Sequence, residues 1–358
     1  MLSMSGTPRV IIRCLVYNHE PYLRDCLEGF VMQRTNFPFK AVVHDDCSTD
    51  GSAAIIREYA EKYPDIIEPI YETENQYSKK DGSLGRIMDA ATLGRSKYIA
   101  VCEGDDYWTD PLKLQKQVDY MDAHPECSMV CTNAMVEWGG TLKESKGCPW
   151  ATPTKTGVLS LEDLVLLNGA YVFTCTILYR QNLKCDMPEL ARRCKVGDYP
   201  LQIFAALRGY VYYYNEVTAI YRYCRPGSWT EQHEKENIEG NKVDISFIQS
   251  VVDMLSAMNE YSNGQYKKLF IEAQLWTIYP ILLQNPQQKE KILSALGWVL
   301  RYRYLAPHLK PSQQTIKEKI RFQIIRLLAW PYYPLPHVFR TLLPAWHPVS
   351  IMRRILRR

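Results

Sequence analysis

Two short acidic segments carry the side chains best suited to chemistry in this chain of 358 residues. One is Asp45-Asp46, and the other is Glu103-Gly104-Asp105-Asp106. Three carboxylates as close as those of the second segment repel one another unless a cation balances them. An acid-x-acid cluster offers the oxygen ligands that Mg²⁺ and Mn²⁺ prefer, and such a cation can bridge diphosphate oxygens. A carboxylate pair can also accept hydrogen bonds from a base edge and from ribose hydroxyls.

Each acidic segment directly follows a short apolar run that predicts a buried strand, and helical spacing follows each of them. Alternating strands and helices predict a parallel sheet with helices on both faces. In such sheets ligands bind beyond the carboxyl ends of the strands, so both clusters are expected at one edge. The alternative for the Ser48-Thr49-Asp50-Gly51-Ser52 stretch is an Asx turn and a helix N-cap. The predicted strands here are Val10–Tyr17, Ala41–His44, Ile66–Tyr71 and Tyr98–Cys102. The predicted helices are one that follows a turn at Asn18–Pro21 and runs through Phe30, Ser52–Lys62, Leu84–Leu93, and one that begins at Asp110-Pro111 and points Leu112, Leu114, Val118 and Met121 inward.

The remainder of the chain changes character near residue 241. Before that point the pattern is mixed, and after it the pattern is helical only, over about 241–262, 265–284 and 288–304. The mixed region predicts a helix at Leu201–Gly209 and strands at Met129–Val136, Thr174–Tyr179, Val211–Tyr214 and Ala219–Tyr223.

The two acidic motifs and their spacing resemble bacterial members of glycosyltransferase family 2. The opening Val16-Tyr17-Asn18-His19-Glu20 also resembles the first turn of that family, where the chain meets the nucleotide. The resemblance extends over about residues 8–230. It implies an α/β fold of the GT-A type, a single Rossmann-like domain, and metal-dependent inverting transfer from a nucleotide sugar.

The resemblance also implies roles for individual residues. In the metal motif Glu103 is the first acid and Asp105 the metal-binding second acid, with Mn²⁺ or Mg²⁺ as the expected cofactor. Asp106 is expected beside the donor sugar and diphosphate. The residues expected to bind the donor nucleotide are Tyr17, Asn18, Glu20, Asp45 and Asp46.

A later segment, Lys195-Val196-Gly197-Asp198-Tyr199-Pro200, resembles the family motif whose aspartate is the catalytic base. Family members often have Glu-Asp at this point, whereas here Asp198 follows a glycine and is the sole carboxylate. Inverting transfer needs one carboxylate to take the proton of the acceptor hydroxyl. The alternative is that Asp198 caps the helix that Pro200 enters.

Tyr221-Arg222-Tyr223-Cys224 resembles a family segment that usually ends in histidine. Because Cys224 stands at that position, any contact of the histidine with metal or diphosphate must be made by another residue. Arg222, Arg225 and His233 are the candidates, and Arg222 could instead brace the sheet.

Charge divides the chain into unequal parts. Residues 310–358 contain ten basic residues and one acid, so they carry +9, and the other 309 residues carry −5 of the net +4. We expect a GT-A catalytic domain at 1–235, a helical extension at 236–309 and a basic amphipathic tail at 310–358. Basic, aromatic-rich segments suit an anionic membrane surface, so 320–358 is expected to make peripheral contact with the membrane. The alternative is a helical cap on the catalytic domain.

The expected function is transfer of one sugar from a nucleotide-diphosphate donor, taken to be UDP-linked, to a glycan or lipid-linked acceptor in cell-surface polysaccharide synthesis. Scattered cysteines and no signal-like start favour a cytoplasmic location, at the inner face of the membrane. Two rival interpretations are a nucleotidyltransferase of similar fold and a non-catalytic sugar-nucleotide-binding protein. A dinucleotide dehydrogenase is disfavoured because no G-x-G-x-x-G follows the first strand. Nucleic acid is a poor partner because the body is net acidic. Specificity is expected in loops Glu72–Gly85 and Trp138–Gly157.

Overall fold

The computed structural model describes residues 6–145, 152–167, 169–228, 230–231 and 244–284. Its first half is a parallel sheet in the spatial order β3-β2-β1-β4. The central strand β1 pairs with β2 on one side and β4 on the other, so the carboxyl ends of all three meet at one edge. The strands are β1 (Val10–Val16), β2 (Phe39–Asp45), β3 (Ile67–Tyr71) and β4 (Tyr98–Val101).

The second half of the sheet is mixed, which corrects the expectation of a parallel sheet throughout. Strand β9 (Leu178–Arg180) runs antiparallel to both β4 and β6 (Cys127–Trp138). The strand predicted at Thr174–Tyr179 is shorter in the structure because a 3₁₀ turn occupies Thr174–Thr176. A short buried stretch can have the same residue pattern as a strand and as a 3₁₀ turn, so periodicity does not distinguish the two.

Strand β10 (Tyr210–Arg222) replaces the two predicted strands 211–214 and 219–223. It pairs parallel with β6, and register shifts near Tyr214 and Val217 mark the break that the sequence pattern suggested. Short strands complete this half: β5 (Tyr107–Trp108) pairs with β10, β7 (Thr141–Glu144) pairs with β6, and β8 (Gly157–Val158) pairs with β10.

Helices cover both faces of the sheet, and two separate apolar clusters lie beneath them. Helix α1 (Leu23–Val31) buries Leu23, Leu27 and Phe30 at helical spacing. The other helices of the domain are α2 (Ser52–Lys62), α3 (Ser83–Thr92), α4 (Lys113–Ala123), α5 (Leu161–Leu166), α6 (Asn182–Asp186), α7 (Glu189–Arg192) and α8 (Asp198–Arg208).

Helix α4 begins later than its Asp110-Pro111 start signal predicts. The Asp110 carboxylate accepts the Leu112 amide at 2.8 Å, and the helix starts at Lys113. Leu112, expected to point inward, is 43% exposed, because it precedes the helix and lies outside its apolar face. Lys113 is fully buried instead, with Nζ donating to Gln117 and its charge over the Trp108 ring.

Two further helices follow the sheet, α9 (Ile245–Tyr261) and α10 (Lys267–Gln284). Asp244 caps α9 by accepting the Phe247 amide at 3.0 Å. Helix α9 packs on α7 and α10 packs on α5, so this part of the predicted extension shares an apolar core with the sheet domain. The predicted helix 288–304 and the tail 310–358 lie outside the described residues, and the domain boundaries stay predictions. None of the helices described has the length and apolar character needed to cross a bilayer.

Candidate functional site

The end of β1 holds both acidic motifs in place. The Val16 carbonyl accepts the Asp46 amide at 2.9 Å, and the Leu15 carbonyl accepts the Gly104 amide at 2.9 Å. Gly104 lies so close that a Cβ there would be 2.8 Å from Nδ1 of His19. A larger residue would force the two loops apart, which explains the glycine within the acidic motif. The prediction that both clusters share one sheet edge is confirmed.

The turn after β1 is hydrogen-bonded to the loop after β2. Asn18 has a left-handed backbone with φ of 54°, and its side-chain Oδ1 accepts the Thr49 amide at 2.8 Å. The Asn18 amide in turn donates to Ser48 Oγ at 3.0 Å, and the His19 amide donates to Ser52 Oγ at 2.9 Å. The Ser48–Ser52 stretch therefore serves as the frame of the first turn.

Glu20 takes part in the same frame. Its carboxylate accepts the Gly51 amide at 2.7 Å, and its own amide donates to Asp50 Oδ2 at 3.0 Å. The structure thus gives the side chains of Asn18 and Glu20 bracing contacts within the protein. Their predicted contacts with a nucleotide stay predictions, as does that of Tyr17, whose side chain is 45% exposed.

The adjacent carboxylates Asp45 and Asp46 are both buried but are used differently. Asp46 accepts backbone amides at both oxygens, from Gln76 at 2.7 Å and from Tyr77 at 3.0 Å. Asp45 has a long contact of 3.4 Å from the Ser48 amide to Oδ2, and its Oδ1 is buried without a partner among the described residues. A buried acceptor without a donor is costly, so Oδ1 of Asp45 is suited to receive one from a ligand.

The second motif concentrates negative charge after β4. Glu103 is exposed as a residue, while protein atoms surround its carboxyl closely enough to displace much of its water. Desolvation there, and then the charges of Asp105 and Asp198, raise the pKa of Glu103 to about 7. Burial and the neighbouring Asp105 also raise the pKa of Asp106 well above its usual range, while the Arg222 amide donates to its Oδ1 at 2.8 Å.

Asp105 is paired with an arginine from the segment after β10. Arg225 Nε donates to Asp105 Oδ2 at 2.6 Å, and both side chains are about one-tenth exposed. The same guanidinium donates from Nη2 to His19 Nε2. His19 must therefore be neutral, and burial, with the Arg225 charge working against that of Asp105, lowers its pKa to about 4.

Arg222, at the end of β10, joins several elements around the acidic motif. Its guanidinium donates to the Asp105 carbonyl at 2.9 Å and forms ion pairs with Asp25 and Glu137. The charge also lies over the Tyr107 ring. These contacts fit the alternative that Arg222 braces the sheet. The side chain of Arg225, rather than that of Arg222, contacts the Asp105 carboxylate, and His233 lies outside the described residues.

Asp198 is the first residue of α8, with Gly197 at the N-cap position. Thr174 Oγ1 donates to Asp198 Oδ2 at 2.8 Å and fixes the orientation of the carboxyl. Burial raises the pKa of Asp198, while Thr174 and the amides of residues 198 and 199 lower it in part. Asp198 is near enough for its charge to raise the pKa of Glu103, so the fold brings the later motif to the acidic edge.

Sequence reasoning did not find two of these contacts. Thr174 lies in a stretch that was predicted to be a strand. That prediction does not indicate which side chain its hydroxyl faces, so the contact with Asp198 had no signal in the sequence. His19 was noted only as part of the first turn, although it contacts Arg225 and packs against Gly104. Its position two residues beyond the end of a buried strand was the available signal.

Residues 12–182 match the family described as "Glycosyl transferase family 2", in agreement with the resemblance of the acidic motifs. The sheet has the α/β arrangement of the GT-A fold that the family resemblance implied.

Two relatives and one solved structure illustrate the similarity. An uncharacterized protein of Mycobacterium tuberculosis is 36% identical over 213 residues, which cover 60% of this chain and 58% of that protein. The Bacillus subtilis protein EpsE, provisionally described as a glycosyltransferase, is 32% identical over 133 residues, or 37% of this chain and 45% of that protein. The structure of S. aureus TarS with UDP-GlcNAc has a TM-score of 0.47 at 17% identity, covering 79% of this chain and 83% of that one. The chain thus spans little more than half the length of the mycobacterial relative.

Proposed function

We propose that this chain transfers one sugar from a nucleotide-diphosphate donor to an acceptor hydroxyl with inversion at the anomeric carbon. The observation that carries the proposal is that one turn links Asp198 to the second acidic motif. Thr174 Oγ1 donates to Asp198 Oδ2 at 2.8 Å, and the neighbouring Cys175 carbonyl accepts Nε1 of Trp108, two residues beyond Asp106, at 2.7 Å. A carboxylate oriented by Thr174 beside the acidic motif is the arrangement that such a reaction requires.

The nucleotide would bind beside the end of β2. Asp45 offers a buried Oδ1 that can accept a hydrogen bond from a base N–H or a ribose hydroxyl. Asp46, engaged at both oxygens, would position the 76–77 backbone rather than bind the ligand directly. Of the two acids, Asp45 is therefore proposed as the nucleoside ligand.

A divalent cation fits the chemistry of the acidic motif. The high pKa of Glu103 reflects the burial of its carboxyl and, after that, the negative charges of Asp105 and Asp198, which a cation would offset. Mg²⁺ and Mn²⁺ are usually held by one or two carboxylates together with substrate phosphates, and Glu103 and Asp105 could supply those carboxylates. The described residues contain no group of three or more potential ligands, so phosphates and water would have to complete the shell. When bound, the ion would offset the negative charge of the diphosphate.

In the transfer step Asp198 would accept the proton of the acceptor hydroxyl. The acceptor oxygen forms a bond to the anomeric carbon from the face opposite the leaving group. The bond between that carbon and the phosphate oxygen breaks, and its electron pair leaves with the nucleoside diphosphate. Because burial raises the pKa of Asp198, the carboxylate is a stronger base than an exposed aspartate.

The donor and acceptor classes are proposed from the sequence. We take the donor to be UDP-linked and the acceptor to be a glycan or lipid-linked saccharide of a bacterial cell surface. A nucleotidyltransferase would catalyse attack of its acceptor on the α-phosphate of a nucleoside triphosphate and release pyrophosphate. The sugar transferase would instead release a nucleoside diphosphate. A non-catalytic binding protein would release neither, so product analysis separates all three.

A panel of UDP-, GDP- and dTDP-sugars, each with and without Mn²⁺, should reveal the donor by thermal stabilisation. A ligand that binds only the folded state at a hundred times its Kd raises stability by about 2.7 kcal/mol. Asp105→Asn should remove the Mn²⁺-dependent part of the shift. A variant that binds donor and Mn²⁺ like the wild type would mean that the metal site is elsewhere.

The tail is proposed as a peripheral membrane contact, which would bring the cleft to a lipid-linked acceptor. Each Lys or Arg near an anionic surface contributes about 1 kcal/mol. Full-length protein should float with anionic liposomes, and deletion of residues 320–358 should abolish flotation but leave donor binding intact. Deletion that unfolds the protein, or full-length protein that never floats, would support the cap alternative instead.

A further inference from the structure

The Arg225 side chain contacts the Asp105 carboxylate of the second acidic motif. It donates from Nε to Asp105 Oδ2 at 2.6 Å, from Nη2 to His19 Nε2, and from Nη1 to the Pro226 carbonyl at 3.1 Å. Its guanidinium also lies 5.2 Å from the centre of the Tyr22 ring. Arg225 is only 9% exposed, so these contacts form in a site with little access to water.

The position of this guanidinium has a direct consequence for cation binding. An arginine is always protonated in proteins, so the positive charge beside Asp105 is permanent. A divalent ion that used the same carboxylate would lie within a few ångströms of that charge. At such distances, in a partly buried site, repulsion between like charges is strong. A cation and Arg225 therefore compete for Asp105 in the nucleotide-free protein.

A bound diphosphate would change this competition. Phosphate oxygens accept hydrogen bonds from guanidinium in paired geometry as well as carboxylates do. Arg225 can thus exchange Asp105 for a phosphate without losing a charged partner. Its position favours such an exchange, because Arg225 lies in a turn beyond the end of β10, where its carbonyl accepts the Ser228 amide at 3.0 Å.

We propose that Arg225 blocks Asp105 in the nucleotide-free protein, so that a divalent cation binds this site tightly only together with a nucleoside diphosphate. The inference rests on the proposed function and adds an order of assembly to it. Because coupling between two ligands is reciprocal, the cation must strengthen nucleotide binding by the same factor as the nucleotide strengthens cation binding.

Electron paramagnetic resonance of free Mn²⁺ measures this coupling in the intact protein. Wild-type protein should bind Mn²⁺ at least tenfold more tightly when UDP or GDP is present, and both nucleotides serve as probes. Arg225→Gln should bind Mn²⁺ at least tenfold more tightly than the wild type without nucleotide, and the nucleotide effect should shrink by the same factor, to the part that the phosphate ligands contribute. Arg225→Lys, which keeps the charge, should remain close to the wild type.

Two controls test whether the gain acts through Asp105. Arg95→Gln removes an arginine that is paired with Glu68 on β3, away from the acidic edge, and should behave like the wild type. Asp105→Asn in the Arg225→Gln background should cancel the gain in Mn²⁺ affinity. A gain that survives this second substitution would overturn the proposal.

The wild type alone can also contradict the proposal. Equal Mn²⁺ affinity with and without nucleotide would refute the block while leaving the metal site intact. No Mn²⁺ binding by any variant under any condition would instead show that the metal part of the proposed function is wrong, and the block with it. If Arg225→Gln does not fold, Arg225→Met, which keeps much of the side-chain volume and removes the charge, replaces it in the same measurement and is expected to show the same gain.

Discussion

The loops after β2 and β4 both leave the sheet beside the end of β1, yet their polar groups are satisfied in different ways. At the first loop the bonds are made by backbone amides: Asp46 accepts two of them, and the Thr49 and Gly51 amides donate to Asn18 and Glu20 in the turn after β1. In the second loop Asp105 is paired with a charged side chain, Asp106 accepts a single amide, and the carboxyls outnumber the cation paired with them.

We interpret the first loop as a rigid frame and the second as the reaction centre. Backbone amides are fixed by the fold, so the first loop is organised before any ligand arrives. Crowded carboxyls whose pKa values are raised hold unfavourable charge that a ligand can relieve. Substitutions in the first loop should therefore affect stability, and substitutions in the second should affect chemistry.

Asp198→Asn tests the chemical half of the comparison and should have the largest effect. Loss of a positioned base should slow transfer by about 10²–10⁴-fold while donor binding persists. Turnover under saturating donor and acceptor measures this effect. An unchanged rate would remove Asp198 from the mechanism, and a large loss of thermal stability would favour the helix-cap alternative.

The pH dependence of the same residue gives an independent check. Only the carboxylate can accept a proton, so activity should fall as pH drops through the raised pKa of Asp198. Thr174→Val removes a hydrogen bond that lowers this pKa, so the acidic limb of the kcat profile should move to higher pH. A limb that stays in place, or moves to lower pH, would show that another group controls the rate.

Asp46→Asn tests the frame. The asparagine amide nitrogen cannot accept an amide hydrogen, so one of the bonds from Gln76 and Tyr77 must be lost. We expect the free energy of unfolding to fall by about 1.5–3 kcal/mol, the usual range for a hydrogen bond to a charged group. Urea denaturation measures it. A fully stable variant with much weaker nucleotide binding would make Asp46 a ligand instead.

Asp45→Asn, in the neighbouring residue, should weaken nucleotide binding more than it affects stability. Its Oδ1 has no partner among the described residues, so an amide nitrogen placed there breaks no hydrogen bond, and the loss of stability should be smaller than in Asp46→Asn. Affinity for the nucleoside diphosphate should fall by about tenfold, which corresponds to roughly 1.4 kcal/mol. Calorimetric titration of both variants under one set of conditions provides the direct comparison.

The sequence predicted the first half of the fold well because its signals are local. Strand β2 and the Asp45-Asp46 pair that it leads into are adjacent in the chain, and helix α2 has the bounds that its apolar spacing predicted. The direction of β9 could not be predicted in this way. An apolar run looks the same in a parallel and an antiparallel strand, and the choice depends on partners distant in sequence.

The candidate site shows the same contrast between local signals and contacts of residues distant in sequence. Residue types and spacing indicated the carboxylates, but the pairing of Asp105 with Arg225 depends on the path of β10 and the turn after it. The different uses of Asp45 and Asp46 likewise depend on where the 76–77 backbone lies. Tertiary contacts of this kind leave no pattern in a single sequence.

Glu20 offers the smallest and most discriminating test of the frame, because the sequence assigned it to the nucleotide and the structure directs its carboxylate to the Gly51 amide. Glu20→Gln keeps an oxygen acceptor at this exposed contact, so stability should fall by no more than about 1 kcal/mol. Gly51→Ala should have a similar effect, since a Cβ there would lie 2.4 Å from Glu20 Oε1 and displace the same side chain. If both act on this one contact, the double variant should lose less stability than the two single losses combined. Nucleotide affinity should change by less than about threefold in each variant. A larger loss in Glu20→Gln that Gly51→Ala does not share would show that the carboxylate binds the nucleotide directly.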